Sequence, residues 1–472
     1  MNGALSDRAL PVAPAAEPVL APLAALAAKL SLAMLAPLLA SLYVARLVAA
    51  QGEVVFSGYS IVSATHTALF IVGSSFLQVL YFLGGRALGA GDALAYRHGM
   101  RAGRRYAIVF GLATSAICAL AGVALQLLGY ARELVAVVAW QGPVAALAAL
   151  PAFLLVVGRV HASLHGRAGF VTAVAAVGAG AAALAATAVV SVGAPGPQEA
   201  ALRVLAALAA VQWLMLLVVQ RGLRSLPLQA SGDAAADPVG RRLRQAGRDM
   251  WSYGWPIGAV VLMDNALTLS STLAVGRWWI DALPAHSVVV LWVALGLIVP
   301  LGIAQAGVQH VAIAHARGEL ATRNRAAVAA LLLAGAYGVA AALLLRTFAV
   351  PAGELLLPPA AGGGEQHAFW RSFMPLGGVV LAAEGVIVVA AALLRGMGLT
   401  RAPLLQALVG YALFGTGGQL LCARVLGLGP VGIWWGLVIG FGVTALVVTL
   451  HCLHSLGLLG RSTSSPPRKA ST

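Results

Sequence analysis

Met374-Pro-Leu-Gly-Gly-Val-Val-Leu-Ala-Ala-Glu384-Gly-Val-Ile-Val-Val-Ala-Ala-Ala-Leu-Leu-Arg395 holds one charged side chain before its closing arginine. As a helix it is roughly 33 Å long, enough to cross the roughly 30 Å hydrocarbon core of a bilayer, with Glu384 near its middle. An isolated charge in hydrocarbon costs several kcal/mol, so a carboxylate placed there needs a proton, a cation or a basic partner. It is read first as part of a transport or proton pathway. The bland alternative is a carboxylic acid hydrogen-bonded between helices.

The rest of the chain is of the same kind. Of its 472 residues 60% are hydrophobic and 10% charged, and mean hydropathy is +0.91, whereas soluble domains carry roughly 25% charged residues. Twelve transmembrane helices are expected, at 22–48, 58–83, 104–128, 134–158, 170–192, 200–219, 253–277, 287–312, 326–345, 372–394, 402–425 and 431–456. Helical spacing and the lack of short alternating strands argue against an outer-membrane barrel. The fold class is an all-α polytopic membrane protein, and the expected location is a bacterial inner membrane.

A formal charge of +15 would suggest nucleic acid in a soluble protein. Here the arginines gather in short connections, which makes them orientation signals instead. With the amino terminus inside, 22 basic residues fall on the cytoplasmic side and seven outside, so both termini are expected in the cytoplasm. Residues 1–21 lack the form of a cleavable signal and read as a disordered tail. A first bundle at 22–222, a cytoplasmic linker at 223–250, a second bundle at 251–456 and a tail at 457–472 complete the expected organisation. The two halves echo each other: Gly91-Asp92 follows helix 2 as Gly318-Glu319 follows helix 8, and Gly158-Arg159 closes helix 4 as Arg395-Gly396 closes helix 10. Two six-helix repeats around a central cavity follow.

Of fifteen acidic residues, only Asp264 and Glu384 lie deep in apolar segments. Asp264 comes thirteen residues after Trp251 on a rising helix, and Glu384 thirteen after Arg371 on a descending one. Each is therefore roughly 20 Å along its helix, near the midplane, where the two could share one site. Asn265, Thr268 and Thr272 share helix 7 with Asp264, although interhelical hydrogen bonding explains such residues more often. His66 is a candidate proton relay or a packed neutral imidazole. Gln78, Tyr81, Gln305 and Gln309 line a pathway or join helices, and Lys29 snorkels to the headgroups. Cys118, Cys422 and Cys452 have no metal spacing. No phosphate loop, metalloprotease pair or elbow serine is present, so neither an enzyme nor a cofactor is expected.

Several segments together resemble the multidrug and toxic compound extrusion (MATE) transporters, particularly the NorM-like branch, from about residue 22 to 456. The family places an acid in helix 10 eleven residues before the arginine of a Leu-Arg-Gly turn, then Thr-Arg, as in Glu384, Leu394-Arg395-Gly396 and Thr400-Arg401. Gly254-Trp255-Pro256-Ile257 with Asp264 is similar to the branch's Gly-x-Pro-Ile followed by a glutamate. Gly89-Ala90-Gly91-Asp92 is similar to the family's turn after helix 2. One departure is that residues 40–45 contain no acid where such members carry a helix-1 aspartate. The helix-5 asparagines are also missing. The resemblance implies an antiporter, functional as a monomer, that exports cationic or amphipathic small molecules in exchange for H⁺ or Na⁺. Asp264 and Glu384 would then bind the ion, including a possible Na⁺. A lipid-linked precursor flippase of the wider superfamily is the runner-up, disfavoured because the deep charges are acidic and Lys29 stands alone. A degenerate, non-transporting membrane protein is the third reading.

Overall fold

The computed structural model describes residues 19–193, 195–224, 239–356 and 364–459. Among them eleven helices are long and apolar enough to cross a membrane, and a bent pair makes a twelfth. In chain order they are α1 (Leu20–Ala49), α2 (Glu53–Gly89), α3 (Ala93–Ala119 and Ala121–Leu127), α4 (Arg132–Leu164), α5 (Ala168–Ser191) and α6 (Pro197–Leu223). Then come α7 (Val239–Trp278), α8 (Ile280–Ala316), α9 (Leu320–Thr347), α10 (Gly364–Gly396), α11 (Arg401–Val425) and α12 (Gly429–Ser455). Leu184, Leu332 and Leu446 stand exposed on outward faces, as lipid-facing side chains do. The chain is a multi-pass membrane protein.

The expected segments differ from these helices mainly at their ends, where polar residues extend a helix beyond the apolar run. The largest difference is at the linker expected over 223–250. Residues 239–250 are helical and continue without a break into the apolar part of α7. The run carries Arg241, Arg242, Arg244 and Arg248, good helix formers. Residues 225–238 of that linker, 1–18 of the first expected tail and 460–472 of the second lie outside the described residues. In α3 the axis bends by 48° at Leu120.

The repeat is visible in how helices end. Gly91 and Gly318 have φ of 70° and 74°, and the next N–H, of Asp92 or Glu319, donates to the carbonyl of Ala87 or Ala314 at 2.9 Å. Both α2 and α8 therefore close with the left-handed glycine and six-to-one hydrogen bond that satisfy a helix's last carbonyls. α4 and α10 close in the same way at Gly166 and Gly398. Aligned on those glycines, Arg159 lies seven residues before its helix end and Arg395 three. The sequence match of Gly158-Arg159 to Arg395-Gly396 is thus out of register by about one helical turn.

Core packing divides the molecule. Near the termini one hydrophobic cluster draws on both halves: Leu30, Leu80 and Phe153 meet Met250, Ile303, Val311 and Leu393. Toward the other end the cluster splits. Val44, Val62, Val138 and Val204 pack within the first six helices, while Val289, Phe373, Trp434 and Phe441 pack within the last six. Two bundles joined at the terminal end and separate at the other enclose a cavity that opens away from the termini. The joint is formed by α1 against α8 and α2 against α7 and α8, and it is tight because small residues let backbones approach. Gly302 of α8 faces Ala27 and Ser31 of α1, and Gly89 of α2 faces the backbone of Ile313.

Candidate functional site

The cavity between the bundles has a volume of about 850 Å³ and is lined by both halves. On α7 the lining residues Ile257, Val260, Val261, Asp264, Asn265 and Thr268 form one stripe at helical spacing. On α10 Val380, Glu384, Ile387, Val388, Ala391 and Arg395 do the same. The two stripes place the Asp264 and Glu384 side chains on one cavity wall, close enough to interact electrostatically. Glu384 is only 7% exposed, and Asp264 Oδ1 is a buried acceptor without a hydrogen-bond partner. Two buried carboxylates in such proximity, with no basic residue forming an ion pair with either among the described residues, call for a proton or a cation to neutralise them.

No third His, Cys, Asp or Glu joins the pair among the described residues. That donor set suits H⁺ or a hard monovalent cation completed by neutral oxygens, and lacks the ligands of a transition-metal site. Tyr411 lines the cavity within electrostatic range of both acids, with its ring 5.2 Å from Phe441. It sits in a π-helical stretch of α11, Leu408–Thr416, which shifts the register of the face that α11 presents. Sequence spacing carries no signal for that distortion. The indole of Trp434 is a further lining residue, at 5.2 Å from His286.

The other candidates scatter. Asn265 lines the cavity, but its Nδ2 donates to the carbonyl of Val261 at 2.7 Å. Thr268 also lines it, whereas Thr272 turns to His286 Nε2 at 3.2 Å. His66 is in the wall built by the first bundle, stacked on Phe70, with its Nε2 unpartnered. Gln305 lines the cavity and accepts from the Tyr81 hydroxyl at 3.1 Å, so it both faces the pathway and ties the bundles together. Gln309 accepts from Ser163 at 3.0 Å across the same joint. Lys29 is exposed and outside the cavity. In α1, where the helix-1 acid is missing, the wall consists of Ala40 and Ser41.

One expectation needs correction. Arg159 and Arg395, counted in the sequence as connection residues, lie within α4 and α10 and line the central cavity. The deep charges are therefore two acids and two arginines. The four-residue offset between the repeats does not remove either arginine from the cavity, because one turn returns a side chain to the same face.

Two helical bundles around a central cavity whose wall carries a buried carboxylate pair have the architecture of a membrane transporter. The chain is 25% identical over 402 residues to a probable multidrug resistance protein NorM of Rhizobium meliloti, covering 84% of this chain and 85% of that protein. It is 29% identical over 390 residues to the Deinococcus radiodurans protein of the same name, covering 78% and 80%. No family model matches the chain. The fold is shared with an outward-facing multidrug resistance MATE family transporter of the MOP superfamily, at a TM-score of 0.80, 16% identity and coverage of 92% and 95%. It is shared also with the eukaryotic MATE transporter AtDTX14, at a TM-score of 0.78, 16% identity and coverage of 91% and 94%. In sequence the chain is similar to NorM-type multidrug resistance proteins, and it shares its fold with multidrug and toxic compound extrusion transporters.

Proposed function

We propose that the protein exports cationic or amphipathic small molecules across the bacterial inner membrane in exchange for H⁺ or Na⁺. The observation that carries this reading is the Asp264–Glu384 pair in the wall of the inter-bundle cavity. A proton or Na⁺ on the pair competes with, or alternates with, the substrate's positive charge. The bundles rock about the joint near the termini, and ion binding biases the two open states because it binds them unequally. With both termini cytoplasmic, as the arginine distribution supports, the described state is open to the outside. The multidrug resistance proteins it resembles support a drug-like cargo. Glu384→Gln and Asp264→Asn are expected to insert normally and lose cationic-dye export; full-rate export by both variants would refute the ion-coupling role.

Arg159 and Arg395 favour a second reading, a flippase for a lipid-linked precursor, whose pyrophosphate they would hold. Parallel flux assays with a fluorescent cation and a lipid-linked saccharide separate the two, since each reading requires flux of its own cargo.

A further inference from the structure

The cavity has a second charged region that the cation site does not use. Arg159 of α4 and Arg395 of α10 line it from opposite bundles. Gln78 and Gln305 line it as well, and each stands thirteen residues before its helix-closing glycine, Gly91 or Gly318. The glutamines therefore occupy matching positions in the two repeats. Both arginines are half-buried. Among the described residues no carboxylate lies within ion-pair distance of either. Arg159 lies within electrostatic range of the Tyr81 hydroxyl, and its Nε is buried and without a hydrogen-bond partner.

Glu384 does not neutralise Arg395 by contact. The two share one face of α10, because eleven residues make just over three full turns, but their Cα atoms stand roughly 16 Å apart along the axis. The cavity is thus dipolar, with the acid pair at mid-depth and two guanidinium groups toward the joint. Uncompensated cations in an apolar cavity call for an anion. Guanidinium forks fit the paired oxygens of carboxylate and phosphate, and the glutamine amides can add donors.

We propose that Arg159 and Arg395, with Gln78 and Gln305, form an anion subsite for a carboxylate or phosphate group on the exported molecule. The preferred cargo is then zwitterionic, with its amine toward Asp264 and Glu384 and its acid toward the arginines. This rests on the export reading above and narrows its substrate class.

The test uses rhodamine B, which carries a free carboxylate beside its cationic ring system, and its ethyl ester, which is a cation only. Dissociation constants for both are measured on the full-length protein in phosphatidylcholine nanodiscs, and efflux of both in proteoliposomes. The ratio of ester to acid dissociation constants is expected to fall about tenfold in Arg395→Gln and in Arg159→Gln, the loss of one charge-assisted contact. Arg395→Lys, which keeps the charge, is expected to retain most of the ratio. An unchanged ratio in both glutamine variants, with the ester still bound and exported, overturns the subsite and leaves the export reading intact. Failure of the wild type to bind or export either dye overturns both. A third arm adds phosphatidylglycerol. If it abolishes the wild-type preference, and native mass spectrometry shows lipid retention falling in the arginine variants, the anion is a lipid headgroup and the substrate assignment is overturned.

Discussion

Gly302→Val should drive the transporter out of the described state. An added Cβ at position 302 would overlap Ser31 Oγ and lie 2.6 Å from the Ala27 carbonyl oxygen and 2.9 Å from the Ser31 amide nitrogen. Two of these are backbone atoms of α1, which no rotamer change can move aside. α1 and α8 must therefore separate at the joint near the termini, the contact that distinguishes this open state from its opposite. Overpacking of this kind costs about 1–3 kcal/mol, which shifts the ratio of the two states by about five- to 150-fold. Spin labels at Val192 and Val425, exposed on the far ends of opposite bundles, would report the change by pulsed electron resonance after Cys118, Cys422 and Cys452 are replaced. The short-distance population is expected to grow in Gly302→Val and to stay unchanged in Gly335→Val, where a Cβ meets nothing within 4 Å. A folded Gly302→Val protein with the wild-type distance distribution would refute the rocking account.

Tyr411→Phe keeps the ring on Phe441 but removes a hydroxyl beside the acid pair, so the ion concentration for half-maximal efflux should move about two- to tenfold; no movement removes Tyr411 from the site. Gly318→Ala forces an alanine to a φ of 74° and should lower stability by about 1 kcal/mol. Gly99→Ala, inside a helix with nothing within 4 Å of the added carbon, should be neutral or stabilising; thermal unfolding in detergent that gives both substitutions the same sign contradicts this account of the helix ends. Lys29→Gln, exposed and outside the cavity, should leave dye affinity within about twofold of wild type, and a larger change in equilibrium binding would place Lys29 in the pathway.

Much of this fold was legible because a bilayer demands long, internally hydrogen-bonded apolar helices, and these are read directly from runs such as 374–395. Depth counting along α7 and α10 was enough to bring Asp264 and Glu384 to one level. Their proximity depends on how two helices rotate toward each other, which spacing along one chain does not encode. Arg159 and Arg395 were misjudged for a related reason. At the edge of an apolar run an arginine reads as an orientation signal, and only the packed bundles show that α4 continues past it to Leu164. Tyr411 was missed because the π-helical stretch of α11 changes which side chains face inward. The extension of α7 was missed because a polar, arginine-rich segment resembles a linker until it is seen continuing the helix.

The central claim is that the carboxylate pair couples ion entry to export. The most direct measurement is cationic-dye efflux from proteoliposomes under separately imposed proton and Na⁺ gradients, comparing wild type with Glu384→Gln and Asp264→Asn. The account predicts that one gradient drives wild-type efflux and that both variants lose this response while still binding dye. Gradient-driven efflux undiminished in both variants would contradict it.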